Sequence, residues 1–245
     1  MIIEFTGCSG AGKSFFFNKV RLELAKRGCT TCTPFELLLG RRISALVRLE
    51  MFRNLILDIL AVFIFIPAYF LNRPILNFAY QTIFAHKTIN SSSFFSRLNL
   101  MRNVTKRIVL DHFLRGSGRG RIVLVDEGTI HISHIVFGGR VPEKRELVEF
   151  LEKVPQPDLI VCLDSLTEVL IKRTLSRPDP PIRKASKTTL QNFVEASSEM
   201  FAMLTKQFVS NHKLIVIDGS RTDQIQVQEL ASRICELYQP EKLVV

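Results

Sequence analysis

Cysteine is scarce in this chain of 245 residues, and tryptophan is absent. The cysteine count of five is odd and the spacing is irregular, which argues against the disulfide framework of a small secreted protein. Cys29 and Cys32 form a C-x-x-C pair, but no second pair or nearby histidine completes a zinc site. We therefore interpret all five as small apolar residues of a reducing cytosol: Cys8, Cys29, Cys32, Cys162 and Cys235.

Targeting signals, repeats and linkers are also missing. The first seven residues lack the basic region and the long apolar region of a signal peptide, and they are typical of a β-strand. Neither an internal repeat nor a Gly/Ser-rich linker divides the chain. Since about 100–200 residues make one domain, we expect a single cytoplasmic domain over residues 1–245.

Acidic residues are few relative to basic ones: 23 Asp and Glu face 33 Lys and Arg, which gives a formal net charge of +10. Such a balance points to partners that carry phosphate, namely nucleotides, nucleic acid or an anionic membrane. Hydrophobic residues make up 47% of the chain, which excludes a disordered protein and allows a sizeable core. Composition alone leaves the three kinds of partner open.

Short apolar runs alternate with longer helical stretches, which is the pattern of an α/β fold with a parallel sheet. The predicted strands are Ile2–Thr6, Cys29–Pro34, Arg121–Asp126, Asp158–Asp164 and Lys213–Asp218. The predicted helices are Lys13–Arg27, Glu143–Val154, Leu166–Leu175, Thr188–Ser210 and Thr222–Leu237. Residues 36–117 have helical character and no obvious strand, so we interpret them as a helical insertion that faces an acceptor or a membrane.

A glycine-rich motif follows the first predicted strand. Residues 7–14 fit the Walker A pattern G-x-x-x-x-G-K-[ST], with an apolar strand before the motif and an amphipathic helix after it. Glycines let successive backbone N–H groups turn inward to phosphate oxygens, and the start of the helix adds positive potential. Lys13 can reach the β- and γ-phosphates, and the Ser14 hydroxyl can bind Mg²⁺. The predicted nucleotide-binding residues are Gly7, Cys8, Ser9, Gly10, Ala11, Gly12, Lys13 and Ser14.

An apolar strand that ends in acidic residues, Ile122–Glu127, supplies the second half of the predicted site. This is the Walker B arrangement, in which Asp126 would hold Mg²⁺ directly or through water. Glu127 would point into the same cleft and could orient an attacking hydroxyl. Together the two motifs predict a three-layer P-loop NTPase fold with a five-stranded, mostly parallel sheet, and ATP and Mg²⁺ as its ligands.

These motifs resemble those of the P-loop nucleoside and nucleotide kinases, particularly the thymidylate kinases and the deoxynucleoside kinases. Residues 157–177 resemble the family's "PDL…LD…E…R…R" segment, a strand and helix that lead into an arginine-bearing lid over ATP. The resemblance implies a lid loop over residues 173–188, in which Arg173 and Arg177 bind ATP and stabilise the transferring phosphoryl group. It covers residues 1–35 and 118–240.

The predicted lid is a basic loop. Three prolines between residues 178 and 181 exclude a continuous helix there. Arginines on a mobile loop suit phosphoryl transfer, because charge develops on the equatorial oxygens of the transferred group. Arg183 is a further candidate, and a solvated basic loop is the alternative interpretation for all three arginines.

The sequence departs from the family at the end of the third strand. Thymidylate kinases carry Asp-Arg-Tyr there and deoxynucleoside kinases carry Glu-Arg-Ser, whereas this chain has Asp126-Glu127-Gly128. The missing arginine would clamp an acceptor phosphate, so we expect a nucleoside, a sugar or a lipid-linked alcohol rather than a standard nucleoside monophosphate. A carboxylate after the second strand serves as the base in nucleoside kinases, and Glu36 is in about that place. Glu127 and Glu36 are therefore rival candidates for handling the acceptor proton, and we favour Glu127.

An apolar stretch with one charged residue, Asp58, covers residues 54–72 of the insertion. A membrane-spanning helix needs about 20 apolar residues, and Asp58 and Pro67 both argue against a span. One interpretation is a helix buried in the domain or in a homodimer interface, and the other is an element that inserts into a membrane surface or binds a lipid acceptor. Flanking arginines would suit anionic headgroups at the inner face of a membrane: Arg41, Arg42, Arg48, Arg53 and Arg73.

Zinc and nucleic acid are the disfavoured partners. His131 and His134 lack a third zinc ligand, so we interpret them as ordinary histidines close to the acceptor pocket. Basic residues are concentrated between residues 97 and 121. No zinc finger, RNP-like motif or recognition-helix signature accompanies them, which argues against binding of nucleic acid.

We therefore expect an ATP- and Mg-dependent phosphotransferase that transfers the γ-phosphate to an unidentified hydroxyl or phosphate acceptor. The alternative is a nucleotide-dependent, membrane-associated ATPase or regulatory switch. The Asn-Lys-x-Asp motif of GTPases and the Leu-Ser-Gly-Gly-Gln motif of transporter ATPases are both absent. The expected catalytic residues are Lys13, Glu36, Glu127, Arg173 and Arg177, and the expected metal ligands are Ser14 and Asp126.

Overall fold

A five-stranded parallel sheet forms the centre of the protein. A computed structural model describes residues 1–46, 50–85, 93–118, 120–182, 185–208, 213–221 and 223–238. Their side chains are described except in 41–46, 50–54, 56–58 and 60–68. The strands are β1 (Ile2–Gly7), β2 (Thr31–Cys32), β3 (Ile122–Asp126), β4 (Leu159–Asp164) and β5 (Leu214–Asp218). Their order across the sheet is β2-β3-β1-β4-β5, and every pair is parallel.

Helices occupy most of the remaining chain. They are α1 (Lys13–Lys26), α2 (Pro34–Leu46), α3 (Glu50–Ala85), α4 (Phe94–Ser117), α5 (Ile132–Phe137), α6 (Lys144–Lys153), α7 (Thr167–Leu175), α8 (Lys187–Phe208) and α9 (Gln224–Leu237). All six residues of β1 are buried, and successive side chains of a strand point to opposite faces of the sheet. Both faces of the sheet are therefore covered, which gives three layers. The predicted α/β fold class is confirmed, with a sheet that is parallel at every described pairing.

The second strand is shorter than predicted because a helix begins directly after it. Residues Cys29–Pro34 were the predicted strand, but only Thr31 and Cys32 pair with β3. Thr33 and Glu36 form reciprocal hydrogen bonds at the start of α2: the Thr33 N–H donates to Glu36 Oε2 (2.9 Å), and the Glu36 N–H donates to Thr33 Oγ1 (3.3 Å). Such a capping box, with Pro34 in the first helical position, favours a helix over further strand. The short helix α5 is absent from the prediction.

Among the described residues, helices α2, α3 and α4 lie between β2 and β3, in the segment over which the insertion is predicted (36–117). The helical geometry of α3 is interrupted at Asn72 (φ −116°, ψ 18°), two residues before Pro74, which lacks an N–H for the helix ladder. After this kink the helix enters the core, where Phe78 packs its ring edge against Phe137 at 6.3 Å. Among the residues that the structure describes, none of the helices has the length and apolarity that crossing a membrane requires.

Candidate functional site

The glycine-rich loop lies between the end of β1 and the start of α1. Gly7, Gly10 and Gly12 have φ angles of 142°, 84° and 91°, which residues with a side chain rarely adopt. A Cβ on Gly7 would also lie 2.4 Å from the carbonyl oxygen of Leu163 in β4. The loop therefore needs glycine both for its backbone turn and for its close approach to the neighbouring strand.

The start of α1 is arranged to receive an anion. Among the described residues no side chain caps its first turn, so the first N–H groups of the helix are directed toward the loop. The ammonium of Lys13 donates to the carbonyl oxygens of Gly7 (3.0 Å) and Cys8 (3.1 Å), and its side chain is only 10% exposed. These groups fit the phosphates of a nucleotide, because free N–H groups at the start of a helix and a lysine ammonium both bind anions.

Glu127 lies at the centre of a charged network beside the loop. Its carboxylate contacts Lys13 Nζ at 3.4 Å, Arg107 Nη2 at 3.4 Å and His131 Nε2 at 3.5 Å. The backbone at Glu127 has a φ of 60°, the only positive value for a non-glycine residue in the described part of the chain. Strained backbone of this kind is concentrated at functional sites, where surrounding contacts hold it in place.

The electrostatics of the network keep Glu127 ionised. His131, Lys13 and Arg107 hold the pKa of the Glu127 carboxyl well below its usual range, against the effect of burial. Burial lowers the pKa of His131, and the negative charge of Glu127 beside it opposes this shift. Burial likewise lowers the pKa of the adjacent His134 to about 4. The carboxylate therefore remains an acceptor of hydrogen bonds throughout the neutral pH range.

Asp126 and Ser14 lie together at the mouth of the same cleft. Desolvation and the negative charge of Glu127 raise the pKa of Asp126. A hydrogen bond with the Ser14 side chain opposes this rise. Asp126 is nevertheless exposed at the end of β3. One carboxylate and one hydroxyl are a suitable protein contribution to a Mg²⁺ site, because the ion keeps waters and binds substrate phosphates in its other positions. The residues present therefore fit the predicted metal. In the described residues no cluster of three or more His, Cys, Asp or Glu side chains could hold a metal by itself.

A cavity of about 380 Å³ opens next to these carboxylates. Its lining includes Ser14, Asp126 and Glu127 together with the aromatic residues Phe17 and Phe35. Helix α4 contributes a polar and basic side to the cavity through Asn103, Lys106, Arg107 and Asp111. A bound acceptor in this cavity would lie beside both the predicted metal ligands and Glu127.

Glu36, the rival candidate for the base, is placed differently. Its carboxylate accepts hydrogen bonds from Arg21 and from the Thr33 N–H, and the residue does not line the cavity, although its neighbour Phe35 does. Partial burial would raise its pKa, but the hydrogen bonds from Thr33 and Arg21 outweigh that effect and lower it. Glu36 thus has a structural function at the start of α2.

The arginines of the predicted lid differ from one another in their contacts. Arg173 Nη1 donates to the carbonyl oxygens of Gly219 (2.8 Å) and Gly10 (3.3 Å), so it joins the phosphate loop to the loop after β5. Arg177 lies in the exposed loop and pairs with Asp179 at 3.3 Å. The third arginine, Arg183, lies outside the described residues. Of the arginines at 173 and 177, only Arg173 contacts the phosphate loop among the described residues, and the neighbouring Thr174 hydroxyl donates to the carbonyl oxygen of Ser9 at 3.3 Å.

Two charged residues of the site, the buried Glu4 and the half-buried Arg107, are missing from the sequence prediction. Glu4 in the middle of β1 accepts hydrogen bonds from the N–H groups of Ile130 (2.9 Å) and His131 (2.8 Å), and burial raises its pKa to about 7. Arg107 comes from α4, inside the segment without a family resemblance, and its buried Nε has no hydrogen-bond partner among the described residues. A glutamate inside an apolar strand was the available signal for Glu4, since buried carboxylates need specific partners.

Comparisons with known proteins find similarity in structure only. No protein-family model matches the chain, and no curated protein matches its sequence. A solved structure of deoxyadenosine kinase from M. mycoides with bound dATP is similar over 96% of this chain and 99% of that chain, with 14% identity and a TM-score of 0.48. The same enzyme with the product dCMP and a flexible dCDP bound gives 13% identity and a TM-score of 0.48, over 96% of this chain and 100% of that chain. With identity this low and a TM-score below 0.5, the activity of the chain has to be argued from its own residues.

Proposed function

We propose that the protein is an ATP- and Mg-dependent phosphotransferase that moves the γ-phosphate of ATP to an acceptor hydroxyl bound in the 380 Å³ cavity. One observation carries the proposal: the phosphate loop, the paired acids Asp126 and Glu127, and this cavity meet at a single place. A switch protein needs a nucleotide site but has no use for an adjacent cavity beside its acidic residues. The arrangement thus favours transfer to a second substrate.

Different residues of the site bind the phosphates, bind the metal ion and orient the acceptor. The N–H groups of the loop and the ammonium of Lys13 bind the phosphates, and Arg173 holds the loop in shape through Gly10 and Gly219. Mg²⁺ bound by Ser14 and Asp126 would neutralise charge on the phosphates. Glu127 accepts a hydrogen bond from the acceptor hydroxyl and orients its oxygen toward the phosphorus.

The low pKa of Glu127 decides which kind of assistance it gives. A carboxylate with a pKa far below neutral is a weak base, but it stays ionised and can direct a hydroxyl by accepting its hydrogen bond. Phosphoryl transfer passes through a loose transition state, so orientation contributes more than early removal of the proton. Glu127 is therefore proposed as the residue that orients the acceptor, and Glu36 as a structural residue.

The residues that line the cavity indicate the chemical class of the acceptor. Aromatic and aliphatic surfaces at Phe17, Phe35 and Leu110 would contact a flat or apolar part of the acceptor, while Asn103 and Lys106 would bind polar groups. The third strand ends in Asp126-Glu127-Gly128, without the arginine that would clamp an acceptor phosphate, and the Nη2 of Arg107 in the cavity wall is engaged by Glu127 at 3.4 Å. We propose an uncharged hydroxyl compound, such as a nucleoside, a sugar or a lipid-linked alcohol, as the acceptor.

A transfer assay tests the proposal. Purified protein would be incubated with Mg²⁺, γ-labelled ATP and separate pools of nucleosides, nucleoside monophosphates, sugars and extracted lipids. We expect label to appear in an organic product of one hydroxyl-bearing pool. Label that appears only as inorganic phosphate with every pool would contradict the kinase proposal and support the alternative of an ATPase or switch.

A second proposal concerns the apolar segment over residues 54–72, for which we infer binding to the surface of an anionic membrane. The described side chains of α3 are well exposed at Leu55 (53%), Ile59 (51%) and Phe70 (71%). Their spacing of 4 and 11 residues places them on one face of a helix. Burial of this face inside a single copy of the chain is thus disfavoured.

Charge favours an anionic membrane over a second copy of the chain as the partner of this face. Residues 36–117 contain eleven Lys and Arg against four Asp and Glu, so a net +7 of the total +10 lies in this third of the chain. Two copies placed face to face would repel each other, whereas anionic headgroups would be attracted. The apolar face would supply the insertion and the basic residues the electrostatic attraction.

Flotation with liposomes tests the membrane proposal. We expect the wild type to float with vesicles that contain anionic lipid, and Phe70→Glu to lose most of this binding, because a charge would enter the apolar boundary. The matched control is Leu22→Glu, which changes an equally apolar residue, 61% exposed, on α1. Equal flotation of the two variants, or a wild type that dimerises in light scattering without binding vesicles, would contradict the proposal.

A further inference from the structure

Two half-buried thiols that are far apart in the sequence lie next to each other in the structure. The Sγ atoms of Cys29 and Cys235 lie 2.8 Å apart, although the residues are separated by 206 positions in the sequence. Both cysteines are free in the structure, and both are partly accessible to solvent. The sulfur atoms of a disulfide lie about 2.05 Å apart, so only a small side-chain movement separates this pair from a covalent bond.

The position of Cys29 is fixed by the end of α1. Gly28 adopts a left-handed conformation (φ 78°), and its N–H donates to the carbonyl oxygen of Ala25 at 3.1 Å. The N–H of Cys29 donates to the carbonyl oxygen of Leu24 at 3.0 Å. Together these bonds form a Schellman motif, which ends the helix and holds the following residue in one place. The thiol of Cys29 is therefore presented by an ordered turn.

The position of Cys235 is fixed by the packing of α9. Buried side chains at Val227, Leu230, Ala231 and Ile234 hold this helix against the core, and Cys235 packs against the same core. A second contact joins the elements that carry the two thiols, because Arg27 Nη2 donates to the carbonyl oxygen of Gln228 at 3.3 Å. The two cysteines thus face each other across a packed interface of α1 and α9.

We propose that Cys29 and Cys235 are a modification site, at which a small disulfide oxidant such as oxidised glutathione produces an intramolecular disulfide bond. One thiolate attacks the oxidant, forms a mixed disulfide and releases one reduced thiol. The second cysteine then attacks the mixed disulfide, so that one bond joins the two residues and a second reduced thiol leaves. Two cysteine thiols lose two protons and two electrons, and the oxidant gains both.

Burial makes the other cysteines poor competitors. Cys8, Cys32 and Cys162 are 3%, 5% and 1% exposed, respectively. Desolvation by burial raises the pKa of Cys8 to about 11 and that of Cys162 to about 12, so these thiols form little thiolate. Cys29 and Cys235, in contrast, are partly accessible to solvent and lie next to each other. The pair would therefore react in preference to the remaining cysteines.

The bond would close nearly the whole chain into a ring. It would tie α9 to α1, and both helices begin at the nucleotide site: α1 at the phosphate loop and α9 after the loop that contains Gly219. Closing so long a loop restricts the unfolded chain strongly, so we expect oxidation to raise the Tm by about 5–15 °C. This inference does not depend on the proposed phosphotransferase activity.

Peptide mapping and thermal unfolding test the inference on the full chain. After treatment with oxidised glutathione and blocking of free thiols, a non-reducing digest of the monomer should contain one peptide that links Cys29 to Cys235. Cys235→Ser should lack both the linked peptide and the rise in Tm, while Cys32→Ser should retain both. If Cys235→Ser does not fold, Cys29→Ser is measured instead. The peptide map of the wild type tests the link without any variant. Glutathione on both cysteines without a link, or links only between two chains, would overturn the proposal.

Discussion

Replacing Lys13 with alanine is expected to lower kcat/KM for phosphoryl transfer by about 10²–10³-fold, since this is the usual effect of removing one positioned charge or donor at a reacting oxygen. The ammonium of Lys13 lies between the loop carbonyls of Gly7 and Cys8 and the carboxylate of Glu127, so no other described cation occupies the same place beside the loop. The measurement is the rate of transfer from labelled ATP at saturating Mg²⁺.

The control for this variant is Lys19→Ala in the same helix. Lys19 lies one and a half turns further along α1, where its ammonium packs over the exposed ring of Phe15 at 5.8 Å from the ring centre. Its loss should leave transfer within about twofold of the wild type, because an exposed lysine far from the reacting atoms contributes little. Full transfer by Lys13→Ala, or equal losses in both variants, would show that the phosphate loop is not the reaction site.

Replacing Glu127 with glutamine is expected to lower kcat by about 10²–10⁴-fold, the usual contribution of a group that assists proton transfer or directs an attacking hydroxyl. The amide keeps the size of the side chain but removes the charge that Lys13, Arg107 and His131 face. Binding of ATP should weaken far less than kcat, because the phosphates are held by the loop. Separate measurement of kcat and of nucleotide affinity distinguishes the two effects.

Glu36→Gln is the matched comparison, since it makes the same chemical change at the rival carboxylate. Glu36 caps α2 and pairs with Arg21 outside the cavity, so its substitution should cost about 1 kcal/mol of stability and leave kcat within about threefold. A large loss of kcat in Glu36→Gln with near-normal kcat in Glu127→Gln would reverse the assignment of the two residues.

The sequence could predict the parts of the site that are local in the chain. The phosphate loop, its strand and its helix are contiguous, and the conformation of Gly7, Gly10 and Gly12 is dictated by residues next to one another. Strands β3 and β4 could be found because each is an apolar run that is buried up to its final aspartate. The possible orders of the strands in the sheet are then limited by the rules for connections between parallel strands.

The parts that depend on distant elements could not be predicted. Arg107 belongs to a helix with no recognisable motif, and only the packing of α4 beside β3 brings its guanidinium to Glu127. Glu36 has the sequence position of a base, but its direction is set by Thr33 and Arg21, which turn the carboxylate toward its own helix. The sequence motifs therefore predict the phosphate loop, whereas the residues around the acceptor cavity can be identified only from the tertiary structure.

The central strand of the sheet is also the first to be synthesised. β1 pairs with β3, which begins at Ile122, and with β4, which begins at Leu159. A ribosome adds about 5–20 residues per second, so β1 waits about ten to thirty seconds for both neighbours. During that time an apolar strand with two free edges is open to wrong pairing. The topology that places the phosphate loop in the middle of the sheet thus makes the pairing of its strand depend on strands that are synthesised much later.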